Sequence, residues 1–352
     1  MSYRKADRLS LTSLAQSFYK EGRRPVIPLM GYPGLQLTAT TIKQNQFNHI
    51  VQFRSLSRLY DRFRPDAMFF LMDLSVEASA LGLPVRFPLE ETPSVEEHPV
   101  KNLKDLDQFE NIDILGDGRV MVYLETLRHM KVALPCPVGA FVIGPLTLAG
   151  LLTGANEIAI KSITEPDFLE GILQFSQRII LRYAQALFEA GADTLMILEP
   201  TAVIFGPQQF RKYLAPLYRE LAGVLDDLEI TLHVCGDTTH LLKEMAQCGV
   251  AGLSLDSMVD LGKAAEIVGE NILLIGNINP IEMLQEKPQK IYTDTLQLLD
   301  RMCKHPLFVL STGCDLPQNV PFENIEAFFK AGREWAFSGD LKGASKDLIK
   351  SS

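Results

Sequence analysis

Residues 193–235 read DTLMILEPTAVIFGPQQFRKYLAPLYRELAGVLDDLEITLHVC, and this stretch decides the fold. It opens on a short β-rich run (193–199) and closes on another (230–235). Between them, residues 207–225 carry apolar side chains at helical spacing. Strand, helix, strand is the unit of a parallel sheet. The same alternation extends in both directions, with β-rich runs at 26–30, 67–73 and 138–143 upstream, and at 251–256, 272–276 and 307–314 downstream. Amphipathic segments such as 166–190 lie between them. Eight such units predict an α/β fold, a single closed (β/α)8 TIM barrel occupying residues 1–352 as one domain.

A doubly wound open sheet would carry a Gly-rich phosphate turn after its first strand. The sequence there is LMGYPGLQLT, where Gly31 and Gly34 are too sparse for a dinucleotide fingerprint. Two additions to the barrel are expected. Leu11, Leu14 and Phe18 are spaced as on a helix, giving an N-terminal helical extension. Residues 83–137 form a long insertion between the second and third strands, Pro- and Glu-rich at first and then helical over 103–132. Long connections of this kind are commonly lids or surface excursions. The Lys-rich tail after Gly339 is expected to fray.

The chain has 352 residues, 47% of them hydrophobic, a formal net charge of -9 and a pI near 5.3. An acidic balance argues against nucleic acid, whose phosphates are bound through Lys and Arg. The longest apolar tract, 140–155, is interrupted by Gly144, Pro145, Gly150 and Gly154 and is shorter than the roughly 20 residues of a membrane helix. No signal-peptide block is visible, so a soluble cytoplasmic protein is expected. Five scattered cysteines do not describe a disulfide framework.

Chemistry in such barrels gathers at the carboxyl ends of the strands, and most of these ends carry a polar group. Alternation puts His233 and Cys235 on one side of the fifth strand, and Cys314 closes the eighth. Three zinc-type donors with no obvious fourth suggest a working metal rather than a closed structural one. Taken singly, a buried Cys is usually a small hydrophobe; it is the joint placement at strand ends that singles these out. Cys136, Cys248 and Cys303 lie away from the mouth and are expected to be structural thiols, and His240 a solvated helix residue. Glu199 and Asp256 are candidate catalytic groups that could complete the metal shell, orient the histidine through its second nitrogen, or hold a substrate amine or amide; the supporting role behind the ligands is favoured over the plainer alternative of a carboxylate bound to loop amides. Asp73, Glu77 and Asn277 carry weaker versions of the same argument, Asp73 as a catalytic group, Glu77 and Asn277 in cofactor binding.

Two thiolates and an imidazole leave zinc a weaker Lewis acid than three imidazoles would, and suit it to deprotonating a thiol. Alkyl transfer to sulfur is the natural reaction. No cofactor fingerprint is present in the chain, so the methyl donor would arrive on another protein or as a small molecule.

HVCGDTTHLL (233–242), GLSLD (252–256), GNINP (276–280) and STGCDLPQNVPFENIEAF (311–328) resemble the uroporphyrinogen decarboxylase superfamily, in particular its methylcobamide:coenzyme M methyltransferase branch. DLSVEASALGLPVRF (73–87) and FVIGPLTLAGLL (141–152) are similar too. The resemblance implies zinc held by His233, Cys235 and Cys314, a methylated corrinoid protein docking at the barrel mouth as donor, and a small thiol such as coenzyme M, or another acceptor. The decarboxylases of the superfamily use no metal and bind a tetrapyrrole through an Arg-rich loop after the first strand. That loop lacks arginine here, and Arg23 and Arg24 precede the strand, at the opposite end. A metal-free decarboxylase and a non-catalytic corrinoid- or tetrapyrrole-binding protein are the alternatives.

Overall fold

A computed structural model describes residues 9–337, so the tail after Gly339 lies outside the described residues. Seven parallel strands follow one another around a curled sheet: β1 (Met68–Phe69), β2 (Val138–Ile143), β3 (Thr194–Leu198), β4 (Glu229–Val234), β5 (Gly252–Leu255), β6 (Leu273–Ile278) and β7 (Phe308–Thr312). Every residue of β2, β3, β5 and β7 is buried. Helices cover the outer face, which is why these strands read as continuous apolar runs.

The expected first strand is not a strand. Residues 26–30 make a single bridge, Val26 to Leu310 on β7. Pro25 and Pro28 lack the N–H groups a ladder needs. The run still closes the ring. On one side Ile27 N donates to Leu310 O (2.8 Å) and Leu310 N to Pro25 O (2.9 Å). On the other, Asp66 N donates to Val26 O (3.2 Å) and the Asp66 carboxylate accepts from Val26 N (2.7 Å). The eight-stave barrel therefore stands, with one stave pinned at points.

The expected helix at 166–190 is one continuous helix, Pro166–Ala190, stopped by Gly191 at φ 113. Residues 207–224 are helical throughout but pass through a π-turn, Phe210–Leu214. Pro216, just beyond it, cannot donate the next i→i−4 bond. The insertion departs from expectation: 103–132 is not one helix. Leu103–Phe109 and Ile114–Gly116 are 3-10 turns, and the α-helix begins only at Gly118 and runs to Ala133. Asp117 caps it, accepting from Arg119 N and Val120 N, and so fixes the start at that point. Ahead of these turns a two-stranded ribbon pairs Val85–Arg86 with Ser94–Val95.

The N-terminal helix, Leu11–Lys20, sits at the lower end of the barrel. Its first amides, from Leu11 and Thr12, donate to the Glu229 carboxylate at the foot of β4 (2.7 and 2.9 Å), where the helix dipole favours a negative charge.

Candidate metal centre

His233 ends β4 facing inward, and Cys235, two residues on, shares its side; the intervening Val234 is fully buried. Cys314 lies two residues past the end of β7. The three donor atoms come within 4.8 Å of one another. His233 Nε2 is 3.2 Å from Cys235 Sγ, and the two sulfurs are 3.8 Å apart. Tetrahedral zinc with Zn–S bonds of about 2.3 Å separates two sulfur ligands by about 3.8 Å. The donor set and its spacing thus fit zinc without rearrangement of the sulfurs. The sulfurs share one hydrogen bond, which lowers the Cys235 pKa and, together with burial, raises that of Cys314.

The second imidazole nitrogen, Nδ1, lies 3.0 Å from Ser254 Oγ. Ser254 is the residue on β5 in register with His233. This corrects the expectation that Glu199 or Asp256 would orient the ring. Asp256 is instead bound mainly to nearby backbone amides, and Glu199 to two amides and two hydroxyls. Asp256 accepts from Gly236 N (2.9 Å), beside Cys235, and from Met258 N (3.0 Å). Asn277 donates to the carbonyls of Asp256 and Val259 (2.9 and 2.7 Å), tying β6 to the β5 turn. Glu199 is buried behind the wall, accepting from Leu146 N, Thr147 N, Thr147 Oγ1 and Tyr218 OH. It anchors the N-terminus of helix Pro145–Thr153. Only glycine fits at 144, since a Cβ there would stand 1.9 Å from Glu199 Oε2. Glu77, equally buried, accepts from Ile143 N (2.8 Å) at the end of β2. Burial pushes both Glu77 and Glu199 up to about 7, against the pull of these hydrogen bonds.

Asp73 is heavily engaged. It forms a buried ion pair with Arg119 and accepts from Gln46 Nε2 (3.0 Å), Ser75 N (2.9 Å), Ser75 Oγ (2.7 Å) and Tyr123 OH (2.8 Å). It also lines a cavity of about 390 Å³ that has Cys314 in its wall. Tyr32, Met72, Leu74 and Asp315 share that wall, and Thr92 and Pro93 from the ribbon close one side, so the insertion does reach the mouth. Burial pushes Asp315 up to about 7, with the amides of Leu316, Gly31 and Met72 opposing.

His240 is exposed, with Nε2 3.1 Å from Phe205 O, away from the triad. Cys136 and Cys248 are pushed up to about 12 by burial, as inert thiols should be. Arg24 donates to the carbonyls of Met302, Cys303 and Pro306, just before β7, and so lies at the end opposite the triad. Ser254 and Asp315 are the site residues that sequence reading passed over. Asp315 was signalled by its place beside Cys314, Ser254 only by strand register.

The fold places the chain among (β/α)8 barrels that gather their polar strand ends at one mouth. More particularly, the model of the uroporphyrinogen decarboxylase (URO-D) family matches residues 36–335, and the chain belongs to that family. It is 30% identical over 273 residues to the methylcobamide:CoM methyltransferase MtbA of Methanosarcina mazei, covering 75% of this chain and 78% of the relative. Identity to MtaA of Methanosarcina barkeri, also a methylcobamide:CoM methyltransferase, is 30% over 270 residues, 74% of this chain and 78% of that one. A solved structure described as a methyltransferase from Methanosarcina mazei superposes with a TM-score of 0.82 at 25% identity, covering 93% of this chain and 99% of that one. Among the described residues, no helix is long and apolar enough to cross a membrane.

Proposed function

We propose that the protein is a zinc-dependent methyltransferase that moves a methyl group from a methylated corrinoid, carried by a partner protein, to a small thiol. The observation that carries this is the convergence of His233 Nε2, Cys235 Sγ and Cys314 Sγ within 4.8 Å, with a cavity beside them. The names of the relatives support the corrinoid and the thiol. Zinc bound there would keep an incoming thiol deprotonated at neutral pH. Ser254 holds the His233 ring so that Nε2 faces the sulfurs. Met72, Leu74, Pro93 and Leu316 give the cavity apolar walls that exclude water from the attacking sulfur. The thiolate attacks the methyl carbon: an S–C bond forms, the C–Co bond breaks with its electron pair left on cobalt, Co(III) becomes Co(I), and the thiol proton leaves to solvent.

The donor approaches from the open mouth. The turns that surround it carry exposed apolar residues: Leu74 after β1, Val203 and Ile204 after β3, Met258 after β5 and Ile281 after β6. A Cβ on Gly236, beside Cys235, would stand 3.6 Å from Val203 Cγ2, and one on Gly313, beside Cys314, would collide with Ser257 N, so both residues lie close to the triad turns. Such a rim suits a partner that presents a large, mostly apolar macrocycle.

The test is metal analysis together with thiol-dependent demethylation of methylcobalamin, followed by its visible spectrum. Stoichiometric zinc and turnover are expected, and both should be lost in Cys314→Ser. Full activity in metal-free protein, or metal-independent consumption of a carboxylated tetrapyrrole, would overturn the reading.

A further inference from the structure

An acceptor thiol bound at the triad extends its tail into the cavity that Cys314 borders, so the wall of that cavity selects the tail. None of the ten described residues in the wall is Lys, Arg or His. The whole mouth repeats the pattern. The segments that leave the carboxyl ends of the staves, 31–41, 70–81, 144–155, 199–210, 235–242, 256–262, 279–286 and 313–325, contain no Lys or Arg. Their one histidine, His240, lies with Nε2 against Phe205 O. Acids are present instead, among them Asp73, Asp237, Asp256 and Asp260. Two arginines of the insertion are engaged elsewhere. Arg119 pairs with Asp73, donates to Ser75 Oγ (3.2 Å) and lies over the rings of Phe87 and Phe47, and Arg86 on the ribbon faces Glu96 (4.0 Å).

The polar groups of the wall are occupied within the protein. Asp73 is saturated by Arg119, Ser75, Gln46 and Tyr123, and Tyr32 OH donates to Met72 O (2.6 Å). The Asp315 oxygens are shielded from solvent and faced by backbone amides of Gly31, Met72 and Leu316. The rest of the lining is apolar: Met72, Leu74, Pro93, Leu316, Pro317 and the ring of Tyr32. Leu74 remains 39% exposed, a large side chain with apolar surface left to cover. A sulfonate or carboxylate entering this space would give up water without gaining a cation, and an unpaired charge out of water is costly. A hydrocarbon tail gains about fourfold in affinity for each methylene it buries.

We propose that the acceptor is a thiol with an uncharged, apolar tail, seated against Met72, Leu74, Pro93 and Leu316, and that the product is an uncharged methyl thioether. This rests on the thiol-acceptor reading above, and it departs from the anionic 2-mercaptoethanesulfonate (coenzyme M) of the relatives' names.

Four thiols test it: ethanethiol, 1-propanethiol, 1-butanethiol and 2-mercaptoethanesulfonate. Two quantities are measured with the zinc-loaded protein, kcat/KM for methylcobalamin demethylation and, by ligand-observed proton NMR, Kd for the four S-methyl products. The products carry no free thiol and report on the tail alone. Affinity should rise by about fourfold per methylene from the ethyl to the butyl product, and the butyl product should bind at least about tenfold more tightly than the sulfonate. In Leu74→Ser the butyl-to-ethyl ratio should fall by about threefold, because the longer tail loses a wall that the shorter one reaches less. Flat affinities along the alkyl series, or a sulfonate product that binds as well as the butyl product, overturn the inference in the wild-type protein alone. An unchanged ratio in a folded Leu74→Ser protein overturns the placement of the tail. Zinc-dependent turnover with the sulfonate thiol in any of these cases leaves the methyltransferase reading standing. No turnover with any thiol sinks the methyltransferase reading, while the product affinities still decide the tail.

Discussion

Ser254 Oγ sits 3.0 Å from His233 Nδ1, so the serine on one strand sets the ring orientation of the histidine on the next. A metal-ligating imidazole held through its other nitrogen binds more tightly than a free one, and losing such a partner costs about 10–100-fold in affinity. Ser254→Ala should weaken zinc binding by that factor in competition with a chromophoric chelator, with little change in melting temperature. An unchanged zinc affinity would show that the hydroxyl does not position the ring.

Glu77 supplies a pH dependence whose sign can be worked out. Its pKa is raised to about 7 in the folded protein, by burial, from 4.5. The folded state therefore holds a proton that the unfolded state has released over this window. The stabilising contribution is complete below about 4.5 and falls by about 1.4 kcal/mol per pH unit until it is gone near 7. Glu77→Gln should remove that slope. Denaturant titrations of the two proteins at pH 5 and pH 7 should differ mainly at the higher pH, where the neutral variant is the more stable. Parallel stability profiles would contradict the assignment.

Met258 is 68% exposed on the rim, between the triad and any incoming partner. Met258→Glu places a charge where the proposed corrinoid protein would dock. Its kcat/KM with protein-borne donor should fall by roughly tenfold, the size of a modest interface hot spot. With free methylcobalamin it should stay within about twofold. Equal losses with both donors would mean that the residue acts on the chemistry rather than on docking.

Much of this was legible in the sequence, for identifiable reasons. Residues 138–143 and 166–190 announce themselves because a doubly buried strand is continuously apolar and a long helix repeats its apolar face. The triad was legible because strand alternation couples His233 to Cys235 and because Cys314 stands at a strand end. Other features depend on contacts that no local pattern carries. Residues 26–30 look like a strand, yet Pro25 and Pro28 allow them only isolated contacts. The break in 103–132 comes from Asp117, which caps a new helix within an otherwise helical composition. Ser254 is an ordinary small residue until the β4–β5 register sets it beside His233.

The stave at residues 25–29 is held by β7 at the far end of the chain; Leu29 N reaches Thr312 Oγ1 across 283 positions. On the ribosome, the opening segment must wait until Thr312 has been synthesised before it finds its neighbour, and a contact that distant forms slowly. A chain cut short before Phe308 loses ring closure and one of the two sulfurs together. Retention of a metal at the triad would then report that synthesis has passed Cys314.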